Sequence, residues 1–213
     1  MNKRGHGSRI SDAGVARLAE YYRAASNLAS QGGRYISSQE LGKTTGHSAA
    51  QVRKDLSCFG SFGSPGVGYD ASDLSTQLGK ILGKHKLKRV LLVGVGHLGS
   101  ALFGYNRLRR EGFHVVALFD NDRKKIGRKV SGTEIQPMEQ VRRVVASEGI
   151  DIGIVTVPAP AAQRVADHLV ESGIRAILNF APTAVSTPRN VAVQNVDLSI
   201  ELDRLSYIIG RLP

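Results

Sequence analysis

The segment VLLVGVGHLGSALF, residues 90–103, decides the fold of the larger part of this 213-residue chain. Its first four residues form an uninterrupted apolar run, which is typical of a strand buried on both faces of a parallel sheet. The run leads directly into the pattern G-x-G-x-x-G, made by Gly94, Gly96 and Gly99, and Ser100–Phe103 can continue as a helix. Glycines at these positions permit a tight turn and a close approach of the backbone to a pyrophosphate. The segment therefore predicts the strand, turn and helix of a dinucleotide-binding fold.

The next apolar run supplies the acidic residue that such a fold needs. The predicted strand Val115–Phe119 ends at Asp120, which lies 21 residues beyond Gly99. In dinucleotide-binding folds this carboxylate comes roughly 20 residues after the glycines and accepts hydrogen bonds from the adenosine ribose. A carboxylate there repels a 2′-phosphate, which favours NAD over NADP. Because the basic residues 123–125 follow closely, binding of NADP stays an alternative.

Strands and helices continue to alternate toward the C-terminus. Helices are predicted over Pro137–Ser147 and Ala161–Ser172, and strands over Ile152–Val157, Ile174–Leu178 and Val191–Val196. This alternation predicts an α/β Rossmann domain, a doubly wound parallel sheet, over residues 87–196. The carboxyl ends of its strands line the ligand crevice, so the nicotinamide is expected near Pro158 and Asn179–Pro182. The predicted cofactor-binding residues are Gly94, Val95, Gly96, His97, Leu98, Gly99, Asp120, Asn121, Val157, Pro158, Asn179, Phe180, Ala181 and Pro182.

The first part of the chain shows helical patterns instead. An amphipathic helix is predicted over Ser11–Ser30, since its apolar positions recur every three or four residues. These positions are Val15, Leu18, Tyr22, Ala25 and Leu28. Ser37 and Glu40 then have the spacing of a capping box, which predicts a short second helix that ends in the turn 44–46.

A third helix is expected to begin at Ser48, which forms a second capping-box pattern with Gln51. Its inner face would carry Val52, Leu56 and Phe59. Two short helices joined by a glycine-containing turn are typical of a helix-turn-helix, whose second helix lies in the major groove of DNA. The glycine-rich residues 60–69 predict a tight hairpin, the wing of a winged helix.

A last N-terminal helix is predicted around Leu74, Leu78, Ile81 and Leu82, with the basic stretch 84–89 as a linker. The winged helix is therefore expected to span residues 1–86. The predicted DNA-binding residues are Ser48, Gln51, Arg53, Lys54, Ser57, Ser61 and Ser64. An ordinary helical bundle with a glycine loop is the alternative.

The distribution of charge agrees with a nucleic-acid partner. The chain carries a net charge of +11; residues 1–89 hold 14 Lys and Arg against 6 Asp and Glu, and the remainder holds 15 against 12. Such an excess suits a polyanion, although a solvated basic surface gives the same count. The single cysteine, Cys58, excludes an intrachain disulfide and a cysteine zinc site, and is expected to be buried. Apolar runs are too short for a membrane span, which predicts a soluble, cytoplasmic protein.

The sequence offers no catalytic acid–base pair and no metal-ligand cluster beside the predicted cofactor site. His168 is on a predicted helix, where a solvated side chain is expected. A cofactor that is sensed rather than consumed explains this pattern. After Asp197, the terminal helix carries an apolar stripe of Leu198, Leu202, Leu205, Ile209 and Leu212, which must pack on its own domain or on a partner.

Taken together, these motifs resemble the Rex family of bacterial redox-sensing transcriptional repressors. The matching segments are Gln51–Ser57, Phe59–Gly60, Phe62–Gly63, Gly66–Tyr69, Gly94–Gly99, Phe119–Asp120, Thr156–Pro158, Ile177–Pro182 and Val196–Asp197. The resemblance implies a homodimer that binds an inverted-repeat operator on double-stranded DNA while NADH is scarce. NADH, in competition with NAD+, would release it.

The resemblance also implies how the subunits associate and communicate. Residues 197–213 would form a C-terminal helix that is swapped onto the partner subunit. Arg23, Tyr105 and Asp197 match family positions that change partners between the two states. Two other classes stay open from the residues alone: a small NAD-dependent oxidoreductase with a basic appendage, and a nucleotide-binding module that contacts an acidic protein.

Overall fold

The chain divides into two units between Lys86 and Leu87. The computed structural model describes residues 11–64 and 66–211. Within these residues, no helix combines the length and the apolar character that crossing a bilayer requires.

The N-terminal unit has the element order of a winged helix-turn-helix. It contains α1 (Asp12–Ser30), β1 (Tyr35–Ile36), α2 (Ser38–Thr45), α3 (Ala49–Ser57), β2 (Tyr69–Asp70) and α4 (Ala71–Ile81). The β1 and β2 strands pair antiparallel, with Ile36 opposite Tyr69. A bridge between Ser64 and Gly68 closes the hairpin before β2. The predicted wing is therefore present, and its return strand pairs with the strand that precedes α2.

Capping hydrogen bonds mark the starts of α2 and α3. The predicted capping box is complete at α2 and only partly formed at α3. At the start of α2, the Glu40 amide donates to Ser37 Oγ at 3.1 Å and the Ser37 amide donates to Glu40 Oε2 at 2.8 Å. At the start of α3, Ser48 Oγ accepts from the Gln51 amide at 3.1 Å, but the Gln51 side chain donates instead to Asp55. The second capping box is thus incomplete because Asp55 attracts the amide of Gln51.

Four predictions about burial in this unit are wrong, because Val15, Cys58, Phe59 and Ile81 are exposed. Tyr22 is half-buried and packs against the core, whereas Tyr21 is the fully buried tyrosine of α1, and its hydroxyl donates to Asp55. Val15 is exposed near the start of α1, away from the buried positions of that helix. Phe59 and Cys58 are exposed because α3 already ends at Ser57.

A buried carboxylate joins α1 to α3. Asp55 accepts two hydrogen bonds from the guanidinium of Arg17, at 2.6 and 2.8 Å, one from the hydroxyl of Tyr21 at 3.0 Å and one from Gln51 at 2.7 Å. The hydrogen bonds from Arg17 outweigh the opposing effect of burial and hold the pKa of Asp55 below its ordinary value. The same pairing raises the pKa of Arg17. The third helix is therefore fixed on the first by an ionised, fully hydrogen-bonded side chain.

The C-terminal unit is a seven-stranded sheet with the order β5-β6-β4-β3-β7-β8-β9. Its strands are β3 (Lys88–Val93), β4 (Phe113–Asp120), β5 (Lys129–Val130), β6 (Thr133–Pro137), β7 (Ile152–Val155), β8 (Ala176–Asn179) and β9 (Ala192–Asn195). All neighbouring strands are parallel except the β5–β6 pair. From β3 the chain adds β4, β5 and β6 on one side of that strand, and it later adds β7, β8 and β9 on the other side. The direction in which strands are added therefore reverses between β3 and β7. The predicted doubly wound sheet is confirmed.

The helices of this unit are α5 (His97–Phe103), α6 (Asn106–Arg110), α7 (Val141–Glu148), α8 (Ala159–Glu171) and α9 (Leu198–Ile209). Apolar residues of α7 and α8 pack on one face of the sheet, and those of α5 and α6 on the other. The sequence pattern did not predict β5, β6 and α6, which are short. Lys88 and Arg89, expected in a linker, belong to β3 because they pair with β4.

The terminal helix α9 buries no side chain against the described residues of its own unit. None of its residues is buried, and Leu202 and Ile209 are 65% and 66% exposed. Leu212, which was predicted to extend the stripe, lies outside the described residues.

Loss of the Asp55 carboxylate is expected to destabilise the N-terminal unit. Asp55→Ala leaves the charge of Arg17 and the hydroxyl of Tyr21 without their acceptor, which costs about 3 kcal/mol. Native-state hydrogen exchange of the α1 and α3 amides measures this loss. Asp73→Ala, on the exposed side of α4, is the matched control; equal protection in both variants would contradict the assignment.

The same carboxylate predicts a dependence on pH. Because folding lowers the pKa of Asp55, its contribution is complete above the unfolded value of about 4 and is lost as pH falls through the folded value. The difference in protection between Asp55→Ala and the wild-type chain is therefore expected to shrink below about pH 4. A difference that stays constant down to pH 2 would contradict this prediction.

Candidate functional site

The glycine turn after β3 is held in place by contacts that leave no room for side chains. Gly94 has a φ of 98°, and a Cβ there would lie 2.7 Å from the carbonyl oxygen of Thr156. A Cβ on Gly99 would lie 2.1 Å from the carbonyl oxygen of Gly94. The hydroxyl of Thr156 donates to the carbonyls of Gly94 at 2.7 Å and Val93 at 3.1 Å. Two of the three glycines thus allow α5 and the end of β7 to pack against the turn.

The third glycine has a different role. A Cβ on Gly96 would meet no atom within 4 Å, so packing does not require a glycine there. Gly96 lines a cavity of about 880 Å³. A missing side chain at this point lets a ligand approach the backbone, which is what a pyrophosphate needs.

This cavity lies at the carboxyl ends of five parallel strands, where the strand order reverses. Crevices at such switch points are where open α/β sheets bind their ligands. The predicted site residues that line it are Gly94, Gly96, Leu98, Asp120, Asn121, Val157, Pro158, Phe180 and Pro182. The structure thereby brings together the glycine turn, the acidic residue and the two proline-containing segments.

Asp120 is buried at the edge of the cavity and its carboxylate is already engaged. Its Oδ2 accepts from the amide of Val95 at 2.8 Å and from Lys125 Nζ at 2.9 Å, and its Oδ1 accepts from the amide of Asp122 at 3.0 Å. Burial opposes ionisation, but these hydrogen bonds prevail and lower the pKa of Asp120. Asp120 is therefore a fixed anion that ties the glycine turn to the end of β4. Its Oδ1 accepts one hydrogen bond and, as a carboxylate oxygen, can accept another.

Five predicted residues are near the cavity without lining it: Val95, His97, Gly99, Asn179 and Ala181. The fully buried Asn179 has a structural role, because Nδ2 donates to the carbonyl of Thr183 at 2.7 Å and Oδ1 accepts from the amide of Ala181 at 3.0 Å. These bonds shape the turn that places Phe180 and Pro182 in the cavity.

Several cavity residues escaped the sequence analysis. They are Val93, Asp122, Lys125, Met138, Glu139, Thr156, Ala161, Arg164, Val165 and His168. The last four share one face of α8, with the i, i+3, i+4, i+7 spacing, and α8 begins where β7 ends. This helical spacing directly after a strand end was the signal that the sequence offered for this face. His168, expected to be solvated, is half-buried with Nε2 3.1 Å from the carbonyl oxygen of Met138.

The predicted DNA-binding residues lie on α3 and the wing, and most are exposed. Lys54, Ser57, Ser61 and Ser64 are open to solvent, and Ser48 caps α3. Gln51 is half-buried, and its side-chain amide donates to Asp55 at 2.7 Å. Arg53 is exposed and donates to Ser38 Oγ.

Of the three predicted coupling residues, Arg23 lies in the N-terminal unit and Tyr105 and Asp197 lie in the C-terminal unit. Arg23 is exposed on α1. Tyr105 is 50% exposed before α6. Asp197 caps α9, where hydrogen bonds from the hydroxyl and amide of Ser199 lower the pKa of its carboxyl. Their role in coupling stays a prediction.

Metal ligands do not cluster in the part of the chain that the structure describes. Among those residues, no group of three or more His, Cys, Asp or Glu side chains is placed to hold a metal ion.

Two family models match the two units separately. The model described as "Putative DNA-binding protein N-terminus" matches residues 9–57, and the model described as "CoA binding domain" matches residues 85–183. The first covers α1 to α3, and the second covers the glycine turn and most of the cavity.

Relatives with known names match nearly the whole chain. The redox-sensing transcriptional repressor Rex of Carboxydothermus hydrogenoformans is 43% identical over 205 residues, which cover 96% of this chain and 99% of the relative. The crystal structure of RSP in complex with β-NAD+ and operator DNA superposes with a TM-score of 0.89 at 37% identity, over 95% of this chain and 94% of RSP. RSP in complex with β-NADH gives 0.85 at 36% identity, over 95% of both chains. The chain belongs to the Rex family of redox-sensing transcriptional repressors, which regulate transcription and are not enzymes.

Proposed function

We propose that the chain represses transcription by binding an inverted-repeat operator as a homodimer, and that NADH releases it from the DNA. The observation that carries the proposal is a winged helix and a cavity behind a glycine turn in one chain, which superposes on RSP over 95% of its length. RSP has been crystallised with NADH and, separately, with NAD+ and operator DNA. In this proposal residues 1–86 bind DNA, residues 87–196 bind NADH or NAD+, and residues 197–213 join two subunits. The protein acts where its operator lies, in the cytoplasm.

The cavity suits each part of a nicotinamide dinucleotide. The open backbone at Gly96 would face the pyrophosphate, because no side chain there keeps it away. Asp120 Oδ1 would accept from a ribose hydroxyl, while Lys125 compensates the buried charge. The half-buried Phe180 and the two prolines, Pro158 and Pro182, offer apolar surface for the nicotinamide ring.

A homodimer would cover two surfaces that a single chain leaves incomplete. The stripe on α9 is more than half exposed at Leu198, Leu202 and Leu205. On the face of the sheet that α5 and α6 cover, Ile152 and Leu178 are only partly buried. The exposed apolar stripe of α9 and the incompletely covered apolar face of the sheet suit each other. An exchange of α9 between two subunits would bury both surfaces.

Release by NADH requires that the two sites be thermodynamically linked. If NADH binds the released arrangement more tightly than the DNA-bound one, operator DNA must weaken NADH binding by the same factor. A coupling of roughly 1–3 kcal/mol, or 5- to 150-fold, is typical. Arg23, Tyr105 and Asp197 are the residues that we propose transmit it.

Removal of the Asp120 carboxylate is expected to change cofactor selectivity. Asp120→Ala removes the repulsion of a 2′-phosphate and frees the ammonium of Lys125 to meet it. The ratio of NADH to NADPH affinity should then fall by at least about tenfold. Fluorescence titration of both nucleotides measures this ratio, with Asp167→Ala on the exposed side of α8 as the control. An unchanged ratio would overturn the role of Asp120.

Removal of a basic side chain from α3 is expected to separate the two activities. The probe is an inverted-repeat duplex that the wild-type chain selects from random-sequence DNA. Lys54→Ala should weaken binding to this duplex by about 5- to 150-fold. NADH affinity in the absence of DNA should stay the same, because Lys54 and the cavity are on different units. Lys80→Ala, an exposed lysine of α4, controls for the loss of charge. Loss of NADH binding in Lys54→Ala would contradict separate sites.

A further inference from the structure

The arginine of the third helix is held by a residue that belongs to the second. Arg53 Nη1 donates to Ser38 Oγ at 2.9 Å, across 15 positions of sequence. Ser38 is the first residue of α2, and Arg53 lies in the middle of α3. This hydrogen bond spans the gap between the two helices of the helix-turn-helix.

This contact is located beside the wing. Ser38 and Arg53 line a cleft of about 570 Å³, whose other wall is formed by the hairpin residues 61–64 and 66–69. Burial raises the pKa of Tyr69 in this hairpin, and the nearby charge of Arg53 opposes the rise. The guanidinium therefore lies between the helices and the wing, the two elements that a winged helix presents to DNA.

The neighbouring Lys54 differs from Arg53, because its charged group is not held by another side chain among the described residues. Its side chain is exposed, and its ammonium makes no hydrogen bond or ion pair to the described residues. An arginine carries five N–H donors in a planar fork, so a single bond to Ser38 leaves four for another partner. A long side chain that is already ordered loses less entropy when it binds, and its fork keeps one direction.

We propose that Ser38 is a positioning residue for operator recognition, which holds the Arg53 guanidinium in the orientation that DNA requires. The inference rests on the proposed function, since it assigns a further residue to the DNA-binding surface of α3. Ser38 acts only through Arg53.

A double-mutant cycle tests this role. Ser38→Ala, Arg53→Ala and the double variant are compared with the wild-type chain in binding the selected inverted-repeat duplex, without NADH. Ser38→Ala is expected to weaken binding by about 2- to 12-fold, the change that corresponds to ordering one long side chain. Ser38→Thr, which keeps the hydroxyl, should bind as the wild type does. In the Arg53→Ala background, Ser38→Ala should have no further effect.

Controls separate this role from a change in folding. Thermal melting of every variant should stay at the wild-type temperature, and Ser30→Ala, which removes an exposed hydroxyl at the end of α1, should leave DNA binding unchanged. A loss that persists in the Arg53→Ala background, or wild-type affinity in Ser38→Ala, would overturn the proposal. If the wild-type chain selects no inverted repeat at all, the proposed function fails, and this role of Ser38 fails with it.

Discussion

A buried carboxylate has to be paired, and this requirement organises the functional end of each unit. Asp55 and Asp120 are the buried acidic side chains among the described residues. Asp55 accepts four hydrogen bonds and fixes the third helix on the first, and Asp120 accepts three and fixes the glycine turn on the end of β4. Because an unpaired buried charge is costly, each arrangement is held to one geometry. The surface proposed to contact DNA and the cavity proposed to bind NADH are thus both built on ionised anchors.

The chain contains two units, and each has a separate core. A ligand in the cavity therefore changes DNA binding only if it favours one arrangement of the units and subunits over another. The exposed apolar helix α9 is the element that would carry such an arrangement into a dimer. An enzyme would need an acid or base beside the nicotinamide; membership of a repressor family removes that requirement and gives the cavity the role of a sensor.

Much of the fold was predictable because its signals are local. The spacing of Gly94, Gly96 and Gly99 after an apolar run predicted the turn, and the Ser37–Glu40 pair predicted the start of α2. One failure depended on a contact distant in sequence. Helical periodicity could not distinguish Tyr21 from Tyr22, since the choice depends on Asp55, 34 residues away. The cavity face of α8 was missed although its residues have helical spacing directly after a strand, because spacing alone does not tell which face of a helix borders a ligand.

The central claim is that NADH and operator DNA compete through linked sites, and one measurement tests it most directly. A labelled inverted-repeat duplex, bound to the wild-type chain at fixed salt, is titrated separately with NADH and NAD+. If the two sites are linked, low NADH should release the DNA, NAD+ should not, and saturating DNA should weaken NADH binding by the same factor. DNA binding that is indifferent to both nucleotides would contradict linked sites and leave a DNA-binding protein whose cavity has another role.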